Sequence, residues 1–211
     1  MLQTQALDIS TLELLKKLQQ KEYLQGFYLV GGTALALKLG HRKSVDIDLF
    51  SDFSFDSSQI LEKLSNDFLF TLFYSSTNTI RGSIDGVQVD LMAHRYPLVK
   101  NPEILENISM LSMEDILAMK LNAIATSGQR VKDFIDIYYL LQTYSLSEMI
   151  TFYKKKYEHY NEVNILKSIT YFNDVDLTEW PVLLKDPALK WSEVKNKINK
   201  ATVAFTKKYA D

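Results

Sequence analysis

Asp46-Ile47-Asp48 places two carboxylates two residues apart. In an extended strand such residues point to one face. Both acids are therefore expected to project together, while Val45, Ile47 and Leu49 face a core. Two like charges at that spacing repel, and one keeps its proton unless a cation intervenes. Oxygen-only donors suit Mg²⁺ or Mn²⁺. A third acid, Asp90, is the sole acid in the strand-like run Val87-Gln-Val-Asp-Leu-Met92. If that run lies beside Val45–Phe50, three carboxylates converge, enough to hold two metals roughly 3.5–4 Å apart for an in-line phosphoryl displacement. Taken singly, a D-x-D pair reads equally as the polar face of an edge strand, and Asp90 as a solvent-facing residue.

Upstream, Gly31-Gly32-Thr33 separates a strand-like run from a helix-like one. Glycines admit close backbone approach, and the free amides at a helix start favour an anion. The Thr33 hydroxyl is placed to cap that helix or to donate to a phosphate. Arg42 and Lys43 fall just before the acidic run, within reach of phosphates or as ordinary loop charge. Further on, Ile116, Lys120 and Ile124 share one helical stripe. A lysine in an apolar stripe must snorkel or find a counter-charge. Asp133 lies in line with Ile137 and Leu140, so a Lys120–Asp133 pair is expected, with Asp136 as the alternative acid and Lys132 as a surface charge.

Several elements must position these groups. Helical spacing covers Ser10–Gln20, Thr33–Leu39 with Gly40 as C-cap, and a helix from Ser57 or Ser58 to Leu64. Strands are expected at Phe27–Val30, Val45–Phe50 and Phe68–Tyr74. Asp85-Gly86, between Thr79–Ile84 and Val87–Met92, predicts a tight hairpin. The later chain reads as helices: Ser112–Ala125, Val131–Gln142, Ser147–Tyr157, Glu162–Tyr171 and Ser192–Lys208. Pro97 and Pro102 punctuate the boundary. The expected organisation is an α/β (α+β) core over residues 1–100, a mixed sheet with flanking helices, and a helical C-terminal domain over 101–211 packed on it.

Composition narrows the chemistry. Cysteine is absent from the 211 residues, which excludes disulfides, thiolate metal sites and cysteine nucleophiles. Three scattered histidines (His41, His94, His159) make a histidine-based zinc site a poor reading. No apolar run reaches membrane-spanning length and no signal peptide opens the chain, so a cytoplasmic location is expected. The formal net charge of −2 argues against a uniformly basic nucleic-acid binder. The charge is uneven, however. Residues 1–150 carry 13 Lys+Arg against 18 Asp+Glu, and residues 151–211 carry 11 against 8. The lysines of Lys185–Lys208 and Lys154-Lys155-Lys156 suit a polyanion or a solvated helix face.

Gly31-Gly32-Thr33, twelve residues, then Asp46-Ile-Asp48-Leu-Phe50 resembles the signature of the DNA polymerase β-like nucleotidyltransferase superfamily. Lys120, followed by Arg130-Val-Lys-Asp133-Phe-Ile-Asp136-Ile-Tyr-Tyr-Leu-Leu141, is similar to the second signature of the AbiEii/AbiGii-type nucleotidyltransferase toxins. The resemblance runs from about Gly26 to Leu141. It implies a pyrophosphate-releasing nucleotidyltransferase that uses a nucleoside triphosphate. In that frame Asp46 and Asp48 bind Mg²⁺, Asp90 is a further metal ligand or the base, and Lys120 contacts the triphosphate. Asp133 orients Lys120 or a substrate. The resemblance also implies a toxin with a cognate antitoxin. The lysine-rich segments point to tRNA or another RNA as acceptor. A small-molecule or protein acceptor, and a catalytically silent nucleotide- or RNA-binding protein, are the alternatives. A glycosyltransferase leaves Gly31-Gly32 and Lys120 without a role. A D-x-D phosphatase lacks the hydroxyl residue expected where Leu49-Phe50 stand.

Overall fold

The computed structural model describes residues 1–158 and 161–207. Lys208, where the last helix was expected to end, and His159 lie outside them. The chain divides into two compact units: Met1–Pro97 with Asn101–Leu111, and Leu98–Lys100 with the chain from Ser112 onward.

The first unit is built on a seven-stranded mixed sheet. In chain order its elements are α1 (Ile9–Gln19), β1 (Tyr28–Leu29), α2 (Gly31–Leu39), β2 (Ile47–Ser51), α3 (Ser57–Asp67), β3 (Phe70–Ser76), β4 (Thr79–Ile84), β5 (Val87–Ala93), β6 (Glu103–Leu105) and β7 (Ile108–Met110). The strand order is β3-β4-β5-β2-β1-β7-β6. Pairs β2–β5 and β1–β7 are parallel, and the remaining pairs are antiparallel. Leu29, Ile47, Leu49, Val89 and Leu91 are fully buried, so the central strands carry the core. Helix α2 buries Ala34, Leu35, Ala36 and Leu37 in succession, as a helix covered on several sides must. Gly40 ends it in the left-handed conformation (φ 63°), donating its amide to the Ala36 carbonyl at 2.7 Å. Asp56 caps α3, its carboxylate accepting from the Ser58 and Gln59 amides.

The Asp85-Gly86 hairpin forms as the sequence predicts, with both residues at positive φ (50° and 81°). A second tight turn was not foreseen. Glu106 and Asn107, also at positive φ (50° and 63°), join β6 to β7. Residues Asn101–Leu111 thus sit with the sheet rather than with the helices.

Strand β2 starts at Ile47, not Val45. Residues 43–46 are irregular, so the strand alternation does not reach back to Val45, which is 56% exposed instead of facing the core. Strand β3 begins at Phe70 because the Phe68 amide still closes α3 onto the Leu64 carbonyl.

The second unit is helical: α4 (Met113–Thr126), α5 (Val131–Leu140), α6 (Leu146–Lys156), α7 (Glu162–Thr170) and α8 (Trp191–Lys207). The Ser112 hydroxyl caps α4 through the Asp115 amide at 3.0 Å, and Ser145 with Glu148 forms a full capping box on α6. Phe134 and Phe172 each pack edge to face with Trp191 and tilted against each other, with ring centroids 5.6–5.7 Å apart. A buried ion pair, Lys156 Nζ to Asp115 Oδ1 at 2.7 Å, ties α6 to α4. Burial alone would raise the Asp115 carboxyl. Hydrogen bonds from Lys156, Ser112 and the Val99 and Lys100 amides outweigh burial and hold it below the usual carboxylate range. Those two amides also explain why Leu98–Lys100 belongs to this unit.

Of Lys154-Lys155-Lys156, Lys156 is withdrawn from the surface onto Asp115, while the exposed Lys155 donates to the Val99 carbonyl at 2.7 Å and the exposed Lys154 pairs with Glu162 at 2.5 Å. Among the described residues, no helix is long and apolar enough to cross a membrane.

Candidate active site

The turn between β1 and α2 is built around two glycines, each shaped by a neighbour. Gly31 has φ 69°, and a β-carbon there would collide with the Asp48 carboxylate. The Asp48 side chain therefore lies directly against the start of α2. A β-carbon on Gly32 would come within 2.5 Å of Arg42 Nη2. The Arg42 guanidinium is buried over the turn, and its Nη1 donates to the Lys43 carbonyl at 3.0 Å. The Val30 amide donates to the Asp48 carbonyl at 3.0 Å, which fixes the turn to β2.

Thr33 differs from its expected part. Its hydroxyl neither caps α2 nor faces outward. It is buried, pairs with Ser44 Oγ at 2.8 Å and donates to the Asp46 carbonyl. Thr33 thus ties α2 to the segment that carries the acids. Lys43 pairs with Asp8 at 3.1 Å, a local ion pair at the surface.

Strands β2 and β5 are parallel neighbours, and Asp48 is in register with Asp90. In-register residues of adjacent strands share a face, so these two acids are side by side as anticipated. Asp46 stands two residues earlier, half-buried, just outside β2. The Asp90 carboxylate has partners that sequence reasoning missed. Arg81 Nε donates to its Oδ2 at 2.8 Å, and Gln88 Nε2 lies 3.3 Å from both oxygens. Among the described residues no three His, Asp or Glu side chains gather closely enough to enclose a metal ion. The expected convergence of Asp46, Asp48 and Asp90 is therefore not closed. Asp46 precedes the regular strand, and Asp90 is held by Arg81. The signal for Arg81 was present: counting back from Asp85-Gly86 pairs 84 with 87 and hence Arg81 with Asp90.

Within the second unit, Lys120 is held by both candidate acids. Its Nζ lies 2.7 Å from Asp133 Oδ1 and 2.7 Å from Asp136 Oδ2. The three side chains are 8%, 6% and 0% exposed. Asp133 and Asp136 thus both pair with Lys120, and the three form a buried triad. A compact ammonium between two carboxylates is held in position from two sides.

The family model for the nucleotidyl transferase AbiEii toxin of type IV toxin–antitoxin systems matches residues 13–72 and 83–210. An uncharacterized protein of Aquifex aeolicus (strain VF5), aq_aa25, is 35% identical over 168 residues, which is 77% of this chain and 81% of that protein. Two solved structures share the fold. JHP933 from Helicobacter pylori is 18% identical with a TM-score of 0.54, covering 96% of this chain and 94% of its own. MenT4, a nucleotidyltransferase toxin from Mycobacterium tuberculosis H37Rv, is 15% identical with a TM-score of 0.60, covering 92% and 83%. With its family model matched over most of its length, this chain belongs to the AbiEii nucleotidyltransferase toxin family.

Proposed function

We propose that the chain transfers a nucleoside monophosphate from a nucleoside triphosphate to an acceptor hydroxyl on RNA, with tRNA as the leading acceptor. One observation carries the reading of the site. The Asp48 carboxylate fills the space a Gly31 side chain would take, so the glycine turn and an acidic strand meet at one point. The donor set fits a hard divalent cation, because Asp46 and Asp48 offer oxygens alone and Asp90 stands in register with Asp48. Asp46 and Asp48 would hold Mg²⁺ or Mn²⁺, with Asp90 as the further ligand or base. Such a cation, when bound, would screen the triphosphate and favour ionisation of the attacking hydroxyl.

The remaining work falls to the chain itself. The amides of the Gly31-Gly32 turn, at the head of α2, would receive phosphate oxygens, and the Arg42 guanidinium beside Gly32 would add positive charge. The acceptor oxygen attacks the α-phosphorus, the bond to the bridging oxygen breaks, and pyrophosphate leaves with that electron pair. A carboxylate takes the acceptor proton. Lys120, steadied by Asp133 and Asp136, is assigned to the triphosphate on the family resemblance. The α8 region supports a polyanionic acceptor. Lys185, Lys195, Lys197, Lys200 and Lys207 form no ion pair among the described residues. A cognate antitoxin is the partner that this family's systems imply.

A pyrophosphate-release assay tests the chemistry. The wild type with Mg²⁺, triphosphate and total RNA should release pyrophosphate. Asp48→Asn should release none while still folding, because asparagine keeps the size and shape of the side chain it replaces. Equal release from both would remove the site assignment.

A further inference from the structure

We propose that Arg81 is a built-in cation that competes with the divalent metal for Asp90, holding the third carboxylate until metal and triphosphate displace it. The inference rests on the reading of Asp46, Asp48 and Asp90 as a cation site and adds a residue that the reading does not contain.

Register supplies the first argument. Arg81 on β4 is directly opposite Asp90 on β5, and Asp90 is in register with Asp48 on β2. The three positions therefore form one row across three adjacent strands, with Asp90 in the middle. A carboxylate in that position is drawn two ways, toward a cation on the Asp48 side or toward the guanidinium on the β4 side. The structure shows the second state: Arg81 Nε donates to Oδ2 at 2.8 Å, and Gln88 covers both oxygens at 3.3 Å.

Burial supplies the second argument. The Asp90 side chain is 11% exposed and that of Arg81 is 51% exposed. The covered carboxylate is held by protein donors rather than by water, and Arg81 is the cation among them. Its own half-exposed side chain remains free to withdraw into water at small cost, because exposed cations gain little from any single partner. The asymmetry suits a placeholder: the acid is fixed and the cation can leave.

Divalent binding reads this competition directly. Mn²⁺ affinity is measured by the loss of the free-ion EPR signal, without nucleotide, on the folded full chain. Removing the competing charge in Arg81→Gln should tighten Mn²⁺ binding by about two- to fivefold, whereas Arg81→Lys, which keeps a cation there, should stay near the wild type. The gain should vanish in Arg81→Gln combined with Asp90→Asn. A merely structural cross-strand pair predicts a small drop in melting temperature and no gain in metal affinity. Unchanged or weaker Mn²⁺ binding in Arg81→Gln overturns the inference. Asp48→Asn separates the two claims. If it loses Mn²⁺ binding while Arg81→Gln gains none, the inference alone fails. If it binds Mn²⁺ like the wild type, the reading of the acids fails and takes the inference with it.

Discussion

Replacing Lys120 by Met tests how the second unit holds its charges. Met matches the length and apolar stem of lysine, so the change removes a charge and leaves little cavity. Asp133 and Asp136, 6% and 0% exposed, would then face each other without the Lys120 ammonium. Removing one partner from a buried ion pair costs about 3–5 kcal/mol. For a chain of this size, each kcal/mol is worth roughly 2–4 °C, so the melting temperature should fall by about 6–20 °C at pH 8. Adding Asp133→Asn and Asp136→Asn, which removes the two like charges, should restore much of the loss. Far-UV circular dichroism melts at pH 8 measure this. A Lys120→Met protein within about 2 °C of the wild type, or a triple variant that recovers nothing, would refute the buried-triad account. The same result bears on activity, since a loss of transfer in this variant mixes chemistry with folding.

Two further outcomes follow from the same contacts. Gly31→Ala meets both a positive φ of 69° and the Asp48 carboxylate. It should lower stability by about 1–2 kcal/mol and cut pyrophosphate release by about 100-fold through displacement of Asp48; wild-type release would show that the turn and the acid are not coupled. Asp115 titrates below its unfolded value because Lys156, Ser112 and two amides outweigh its burial. Its contribution is therefore full at neutral pH and lost as pH falls below about 4. Asp115→Asn should melt lower at pH 7 and show a flatter acid limb, and an acid limb as steep as the wild type's would remove Asp115 from that account.

The parts of the fold legible in the sequence are those with local chemistry behind them. Asp85-Gly86 is a turn that tolerates positive φ at both residues, and its register follows by counting. Gly40 stops α2 for the same steric reason, and Ser112 announces α4 through its side chain. The β6–β7 hairpin was hidden because Glu106-Asn107 carries no glycine and adopts positive φ only in its tertiary setting, with the Glu106 carboxylate accepting from the Leu2 amide at 2.8 Å. In the candidate site the paired acids and glycines stood out in the sequence, because like charges two apart on a strand need a chemical reason and paired glycines mark a close backbone approach. What covers those acids was not. Arg81 reads as one more surface arginine until the hairpin is closed, and Lys156 reads as a surface lysine until Asp115 is found 41 residues away.

Transfer of label from an α-labelled triphosphate tests the central claim most directly. Each of the four nucleotides would be incubated with Mg²⁺, total tRNA and either the wild type or Asp48→Asn, and the products resolved on a denaturing gel. The account predicts labelled RNA from the wild type with at least one nucleotide, and none from Asp48→Asn. No label on any acceptor with the wild type, or equal label with Asp48→Asn, would contradict it.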